Sequence, residues 1–420
     1  MVFFSSSCFP IVSFIKLEVK KLNNKDVPQM SVERTRESVR LHYIDWLRVL
    51  AILGVFLYHA VHPFDLTYWH VKNNELSLEL TIAIVFFSLW GMQLFFLLAG
   101  AGSWFALRHR SNQQYIEERV KRLLIPYIVG VILFTPIMLY LEWYFNTLKG
   151  SLTESFLEFI LNRYAGFSPM WFGALGYHLW FLGFLFSFSI LGLPLFLKLK
   201  GTSGKRVISW LAQISEYRGG LLIFILPLLL VQLIFRPFFP LEHDWADFFY
   251  QFSFFLIGFI LFADERIIKN IRRDWLIFLI IALSSTIILL IMYEVGDPFA
   301  WSTNPGIPEF YLVYIFVTAT TWCWINFILV IGMRFLDFSN TWLQYWKEAI
   351  LPFYLVHQPI ILIIAFFVVQ WDASILIKLP VVVLSSFIFS LAFFEFIIKR
   401  IRFLQPFFGI KVKKIDKTFS

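Results

Sequence analysis

Apolar runs of about 20 residues, set apart by short polar or basic stretches, recur along the whole chain. A helix rising about 1.5 Å per residue makes such a run long enough to cross a hydrocarbon core about 30 Å thick. Ten runs qualify, at 43–61, 79–100, 123–142, 174–197, 219–235, 247–263, 275–293, 310–333, 349–369 and 379–398. The pattern predicts an all-α polytopic membrane bundle of about ten transmembrane helices. Pro136, Pro227 and Pro352 interrupt some runs and soften their boundaries. Between runs, SLTESFLEFILNRY in the stretch 143–173 has an amphipathic pattern suited to lying along the interface. The basic, glycine-containing segment 198–218 reads as a linker.

The first run breaks the apolar rule. Tyr43–Val61 carries Asp45, Arg48 and His59, and an ionisable group inside a bilayer is costly enough to read as functional by default. Eleven residues at about 100° each put Arg48 and His59 on one helix face, about 16 Å apart along the axis. Asp45 lies three residues before Arg48 and shares that face. One stripe therefore holds an acid and a guanidinium near one end and an imidazole toward the other.

Charge gives the stripe a direction. Of the 36 Lys and Arg residues, 30 fall in alternating segments on one side of the ten runs and five on the other, with Arg48 inside the first helix. The positive-inside rule then places both termini in the cytoplasm, Arg48 about one turn into the membrane and His59 in the outer half. The domains expected are a cytoplasmic segment 1–40, a transmembrane domain 41–400 and a basic cytoplasmic tail 401–420. Met30 is an alternative start, which would make 1–29 an artefact. The composition agrees with the membrane reading: 59% hydrophobic, 15% charged and a mean hydropathy of +0.72, against about 25% charged residues in soluble domains. The net charge of +8 lies in short loops between apolar runs, which points to topology and away from nucleic acid. Two cysteines, Cys8 and Cys323, are too few for a disulfide framework or a Cys-based metal site, and no metal is expected.

On residue type alone each candidate keeps two readings. His59 is a general base, since a neutral imidazole accepts a hydroxyl proton near neutral pH, or an interfacial histidine bonded to a carbonyl. Arg48 is functional or snorkels to the inner interface, with Asp45 as its ion-pair partner. In YIEERVKRLLIPY, Arg119 and Arg122 stand three apart, on one face of the entry to the third helix, and paired guanidinium forks suit phosphates; ordinary positive-inside anchoring explains them equally, and Arg108 with them. His178 and Trp180 open the fourth run at its outer end, where Trp180 also reads as a belt aromatic. His357 lies within the ninth run, followed by Pro359, which would disturb the helix. Glu395 is a further intramembrane acid, and Glu242, His243 and Asp244 share a short outer loop.

Together these stretches resemble the acyltransferase 3 family of integral membrane acyltransferases, in its glucan-modifying branch. The resemblance covers about residues 41–411 and rests on YIDWLRVLAILGVFLYH with ten residues between Arg48 and His59, FFLLAG, RVKRLLIPY, HLWFL, FYLVHQPII and RIRFLQPFFGIK. It implies transfer of an acyl group, acetyl or succinyl, from cytoplasmic acyl-CoA to a hydroxyl of an extracytoplasmic carbohydrate, in a bacterial inner membrane. It implies that His59 is catalytic and that Arg48, Arg119 and Arg122 matter; in the mechanism expected on that basis Arg119 and Arg122, with Arg108, hold the donor, and Asp45 stands beside Arg48. His178, His357 and Trp180 are placed with the substrate. One departure is that no periplasmic hydrolase domain follows the last run, so the membrane domain is expected to finish the transfer. Expected partners are membrane lipids and the glycan acceptor, with a homo-oligomer or glycan-biosynthesis proteins left open. A transporter or flippase of lipid-linked sugars would also use intramembrane Arg and His, though no internal repeat supports it. A non-catalytic envelope-assembly partner is a third class, which the presence of Arg48 and His59 disfavours.

Overall fold

A computed structural model describes residues 41–162 and 168–410. The expectations for 1–40, the end of the tail at 411–420 and residues 163–167 lie outside the described residues. The described chain is helical with no strand. Among the described residues, nine helical segments are long and apolar enough to span a membrane, and a tenth, Gly220–Phe235, is apolar but shorter. The ten runs are therefore all helical, with 219–235 the weakest.

The helices of eight residues or more are α1 His42–Val61, α2 Leu78–Ser88, α3 Gly91–His109, α4 Asn112–Arg119, α5 Ile125–Leu148, α6 Trp180–Lys200, α7 Thr202–Glu216, α8 Ile225–Phe235, α9 Trp245–Ala263, α10 Glu265–Arg273, α11 Trp275–Val295, α12 Pro308–Phe335, α13 Thr341–Val368 and α14 Ile375–Phe393. Side-chain caps start several of them: Ser77 accepts from Leu80 N, Ser111 and Gln114 form a capping box, and Asn340 accepts from Leu343 N. Such caps satisfy backbone donors that the first turn leaves over. Helices α5, α6, α13 and α14 continue through Pro136, Pro194, Pro352 with Pro359, and Pro380.

Two local expectations change. The run 79–100 is two helices, because the chain breaks at Leu89–Trp90, and Thr321 Oγ1 donates to the Leu89 carbonyl there at 2.6 Å. The segment 198–218 is not a linker but mostly α7, whose Ile208, Ala212 and Ser215 are buried while Lys205 and Arg206 face out. That spacing is amphipathic, and it outweighs the glycines at the helix start. The stretch from 151 forms only a short capped helix, Phe156–Leu161.

Helices α3 and α9 pack along one another, and two glycines set how closely. A Cβ at Gly100 would run into the Phe255 carbonyl oxygen, and one at Gly258 into the Leu97 carbonyl oxygen. Backbone-to-backbone approach of this kind is how small residues hold membrane helices together. Helix α1 packs against α3, α12, α13 and α14, so its polar stripe faces protein. Near the chain end, Phe408 is buried and its ring meets those of Phe134 and Phe393; residues 405–410 pack on the bundle.

Between α1 and α2 the chain closes a compact loop. Its ends are joined by Ser77 N to Phe64 O and Asn73 N to Pro63 O, both 2.8 Å. Inside it, buried Asp65 accepts from Thr67 N at 2.7 Å and Lys72 Nζ at 2.8 Å, and lies 2.6 Å from His62 Nδ1. Burial alone would raise the Asp65 carboxyl, but hydrogen bonds from His62 and Lys72 outweigh it and hold its pKa below the usual aspartate value. A carboxyl depressed on folding contributes stability at neutral pH and loses it as the pH falls below about 4. Asp65→Ala strands Lys72 and His62, and removing one partner of a buried pair costs about 3–5 kcal/mol. A lower thermal midpoint in detergent is the expected reading; an unchanged midpoint would show that the loop is held otherwise.

Candidate active site

Three histidines from three segments meet near the C-terminal end of α1. Ring centroids are 5.2 Å apart for His59 and His357, 4.9 Å for His178 and His357, and 6.1 Å for His59 and His178. His178 and His357 are buried at 5% and 0% exposure, while His59 is half-buried. The reactive face belongs to His59.

The carbonyl partners assign the tautomers. A carbonyl oxygen only accepts, so the ring nitrogen beside it carries the proton. His59 Nδ1 donates to Val55 O at 3.0 Å. His357 Nδ1 donates to Tyr354 O at 2.6 Å, and His178 Nε2 donates to the same oxygen at 3.0 Å. The Tyr354 hydroxyl donates back to the His178 carbonyl. His357 Nε2 then carries a lone pair, 3.4 Å from the protonated His59 Nδ1. These bonds leave His59 Nε2 unprotonated and without a hydrogen-bond partner among the described residues, as a general base requires. His178 and His357 have given their N–H groups to one backbone oxygen, so neither offers a donor to a developing oxyanion.

The local sequence explains this arrangement. Pro359 has no N–H, so the Leu355 carbonyl loses its helical donor at the turn that holds the rings, although α13 runs on through it. Tyr177, just before His178, has φ 52°. A non-glycine residue there costs about 1–3 kcal/mol and persists where surrounding contacts impose it, often at a functional site. Trp180 lies further along: its ring meets those of His243 at 4.3 Å, Phe184 at 5.0 Å and Phe96 at 6.1 Å. The structure does not bring it against the three histidines.

The other end of α1 is organised around the small-residue part of α3. Arg48 Nη2 donates to Leu98 O at 2.7 Å, and its guanidinium fills the space that a side chain at Gly102 would take. Asp45 is 3.6 Å from Arg48 and 3.8 Å from Lys347. It sits about 21 Å along the helix from His59 and orients the guanidinium. Arg119 reaches the same stretch of α3: its Nη2 donates to Ser103 Oγ at 3.2 Å, and it stacks on Tyr115, whose hydroxyl also bonds Ser103. Arg108 lies over Trp104 at 6.0 Å.

Arg119 and Arg122 do not share a face. Val120–Leu124 is a π-turn, which widens the rotation between them. Pro126 gives the reason: it cannot donate to the Arg122 carbonyl and would crowd it in a regular helix. Arg119 therefore turns in to Ser103, and Arg122 lines a separate cleft of about 620 Å³ with Arg110, Lys121, Glu118, Pro406 and Ile410. In that cleft Glu118 is 2.7 Å from Arg110 and 3.9 Å from Arg122.

The structure adds residues that the sequence patterns do not single out. His62 stacks on Trp69 with ring centroids 5.8 Å apart, 6.4 Å from the His59 ring. Glu142 on α5 is 1% exposed and lies 2.9 Å from His70 Nδ1. Glu142 had a signal, a lone acid in an apolar run. His62 and His70 had none, since only folding of the outer loop brings them near. No cluster with metal-ligand geometry occurs among the described residues.

A family profile described as an acyltransferase domain matches residues 41–395. The glucans biosynthesis protein C of Salmonella paratyphi B is 23% identical over 352 residues, which cover 80% of this chain and 86% of that protein. The proteins of the same name from Salmonella enteritidis and Salmonella choleraesuis match to the same extent. No solved structure matches the chain. With a profile match over most of its length and an all-helical bundle of membrane-spanning segments, the chain belongs to the acyltransferase 3 family and is a multi-pass membrane acyltransferase.

Proposed function

We propose that the protein moves an acetyl or succinyl group from cytoplasmic acyl-CoA to a hydroxyl of an extracytoplasmic glycan, in a bacterial inner membrane. The observation that carries this reading is the polarity of α1. His59, with Nδ1 protonated and Nε2 open, stands at one end, and Arg48 stands with Arg119 at the other, about 16 Å away. A donor from one side and an acceptor from the other need such a separation. The charge count puts the guanidinium end in the cytoplasm, and the similarity to glucans biosynthesis protein C supports a carbohydrate acceptor.

In this mechanism the donor phosphates bind in the cleft of Arg110, Lys121 and Arg122, and the thioester arm passes Arg48 toward His59. His59 Nε2 takes the acceptor hydroxyl proton as the oxygen attacks the thioester carbon. Collapse of the tetrahedral adduct breaks the carbon–sulfur bond, and the proton passes from His59 to the departing thiolate. Membrane lipids surround the bundle, and glycan-biosynthesis proteins or a second copy are its natural partners.

Mass spectrometry of envelope glycans from cells with and without the gene tests the reading. Loss of an acetyl or succinyl mass increment without the gene is the expected result; identical spectra would sink it. The cleft assignment has its own test. Arg110→Ala with Arg122→Ala should raise the acyl-CoA KM about tenfold, the worth of one or two charge-assisted hydrogen bonds, with kcat little changed. An unchanged KM would reduce these arginines to topology signals.

A further inference from the structure

Among the described residues, one buried carboxylate that the mechanism does not use joins three segments of the chain. Glu142 Oε2 accepts from the Tyr177 hydroxyl at 2.7 Å and lies 2.9 Å from His70 Nδ1. Its Oε1 accepts from the Tyr68 hydroxyl at 2.9 Å. The His70 and Tyr177 rings also meet edge to face, with centroids 4.7 Å apart. These residues belong to three segments. Tyr68 and His70 lie in the outer loop that follows His59 and His62, Tyr177 lies in the turn before α6, and Glu142 lies near the outer end of α5.

We propose that Glu142 is a positioning residue: it latches the outer loop and the strained Tyr177 turn to α5, and so holds His178 and His357 in the arrangement that orients His59. The chain of contacts is continuous. Tyr177 has φ 52°, a conformation that relaxes unless its side chain is anchored. Glu142 supplies that anchor through the phenol. The next residue, His178, exchanges two hydrogen bonds with Tyr354, through its Nε2 and its carbonyl. The Tyr354 carbonyl is shared with His357, whose Nε2 faces the protonated His59 Nδ1 at 3.4 Å. When Tyr177 relaxes, His178 leaves the shared carbonyl, and the His357 ring loses the neighbour that fixes its plane. The base is then misaimed, although neither it nor the donor cleft has been altered. A displacement of about 1 Å at a reacting group costs up to about 100-fold in rate.

The catalytic part of this proposal rests on the transferase reading, so the test has two arms on the full-length purified protein. In the kinetic arm, acyl transfer is measured for Glu142→Ala, Glu142→Gln and Tyr177→Phe. Expected for Glu142→Ala is a fall in kcat of about 10- to 100-fold, with the acyl-CoA KM within about twofold of wild type. Glu142→Gln keeps one acceptor oxygen, enough for the Tyr177 hydroxyl, while its NH2 cannot accept from the Tyr68 hydroxyl, so it should recover part of the loss. Tyr177→Phe should fall between them. A wild-type kcat in Glu142→Ala, a loss confined to the acyl-CoA KM, or no recovery in Glu142→Gln would overturn the proposal. In the second arm, hydrogen exchange is followed without substrate. Glu142→Ala should speed exchange at 66–73 and 177–180 and leave 110–122 unchanged; unchanged exchange at the first two segments overturns the latch whatever the kinetics show. If wild type transfers no acyl group, the transferase reading fails while exchange still decides the latch. If Glu142→Ala does not fold, Glu142→Gln and Tyr177→Phe carry both arms, and wild-type kcat and exchange in Tyr177→Phe overturn it.

Discussion

His59→Ala should lower acyl transfer by about 100- to 10,000-fold, the usual contribution of a positioned general base. The expectation follows from hydrogen bonds as well as from position. Val55 O and the His357 ring face the Nδ1 side, so the lone pair is on the half-buried Nε2. Alanine removes the only one of the three rings whose basic nitrogen faces an accessible space. The acyl-CoA KM should change little, because donor contacts are at the far end of α1. A well-folded His59→Ala protein with undiminished turnover would end the base assignment.

Gly258→Val should have the largest effect on folding. A Cβ there strikes the Leu97 carbonyl oxygen, and Gly100 meets Phe255 in the same way from the other helix. Both obstacles are backbone in the middle of a helix, so neither can rotate away as a side chain would. Helices α3 and α9 must part to make room. Overpacking a well-packed interior typically costs 1–3 kcal/mol, occasionally more, and about 3 kcal/mol or more is expected here because the clash is with main chain. Helix α3 also carries Leu98 O and Ser103, which hold Arg48 and Arg119. Size-exclusion profiles in detergent should show aggregation or a strong loss of monodisperse protein. A Gly258→Val variant with the wild-type melting point would mean that the helices have room the contacts do not suggest.

The membrane helices were legible because about 20 apolar residues in a row leave few alternatives. The stripe on α1 was legible because charge in such a run is costly. Other features were out of reach of these rules. Periodicity put Arg119 and Arg122 on one face, and the π-turn at Val120–Leu124 separates them; Pro126, four residues after Arg122, was the visible cause. In α7 the glycines and serine at the start masked the spacing of Ile208, Ala212 and Ser215. Trp180 was grouped with His178 on sequence proximity, but the start of α6 directs it to His243. The meeting of His59, His178 and His357 spans 298 residues, and no local pattern encodes a contact of that range.

The two buried imidazoles of the site donate to a single main-chain oxygen, that of Tyr354. An alanine scan along α13 would leave that atom in place at every position and so would pass over the group that orders both rings. Its importance should surface through substitutions that change helix geometry: Pro359→Ala gives Leu355 O a helical donor and should shift the turn that carries the Tyr354 oxygen. For an inhibitor, the same feature leaves the three rings with basic lone pairs and no free N–H, so a compact hydrogen-bond donor should complement His59 better than an anion.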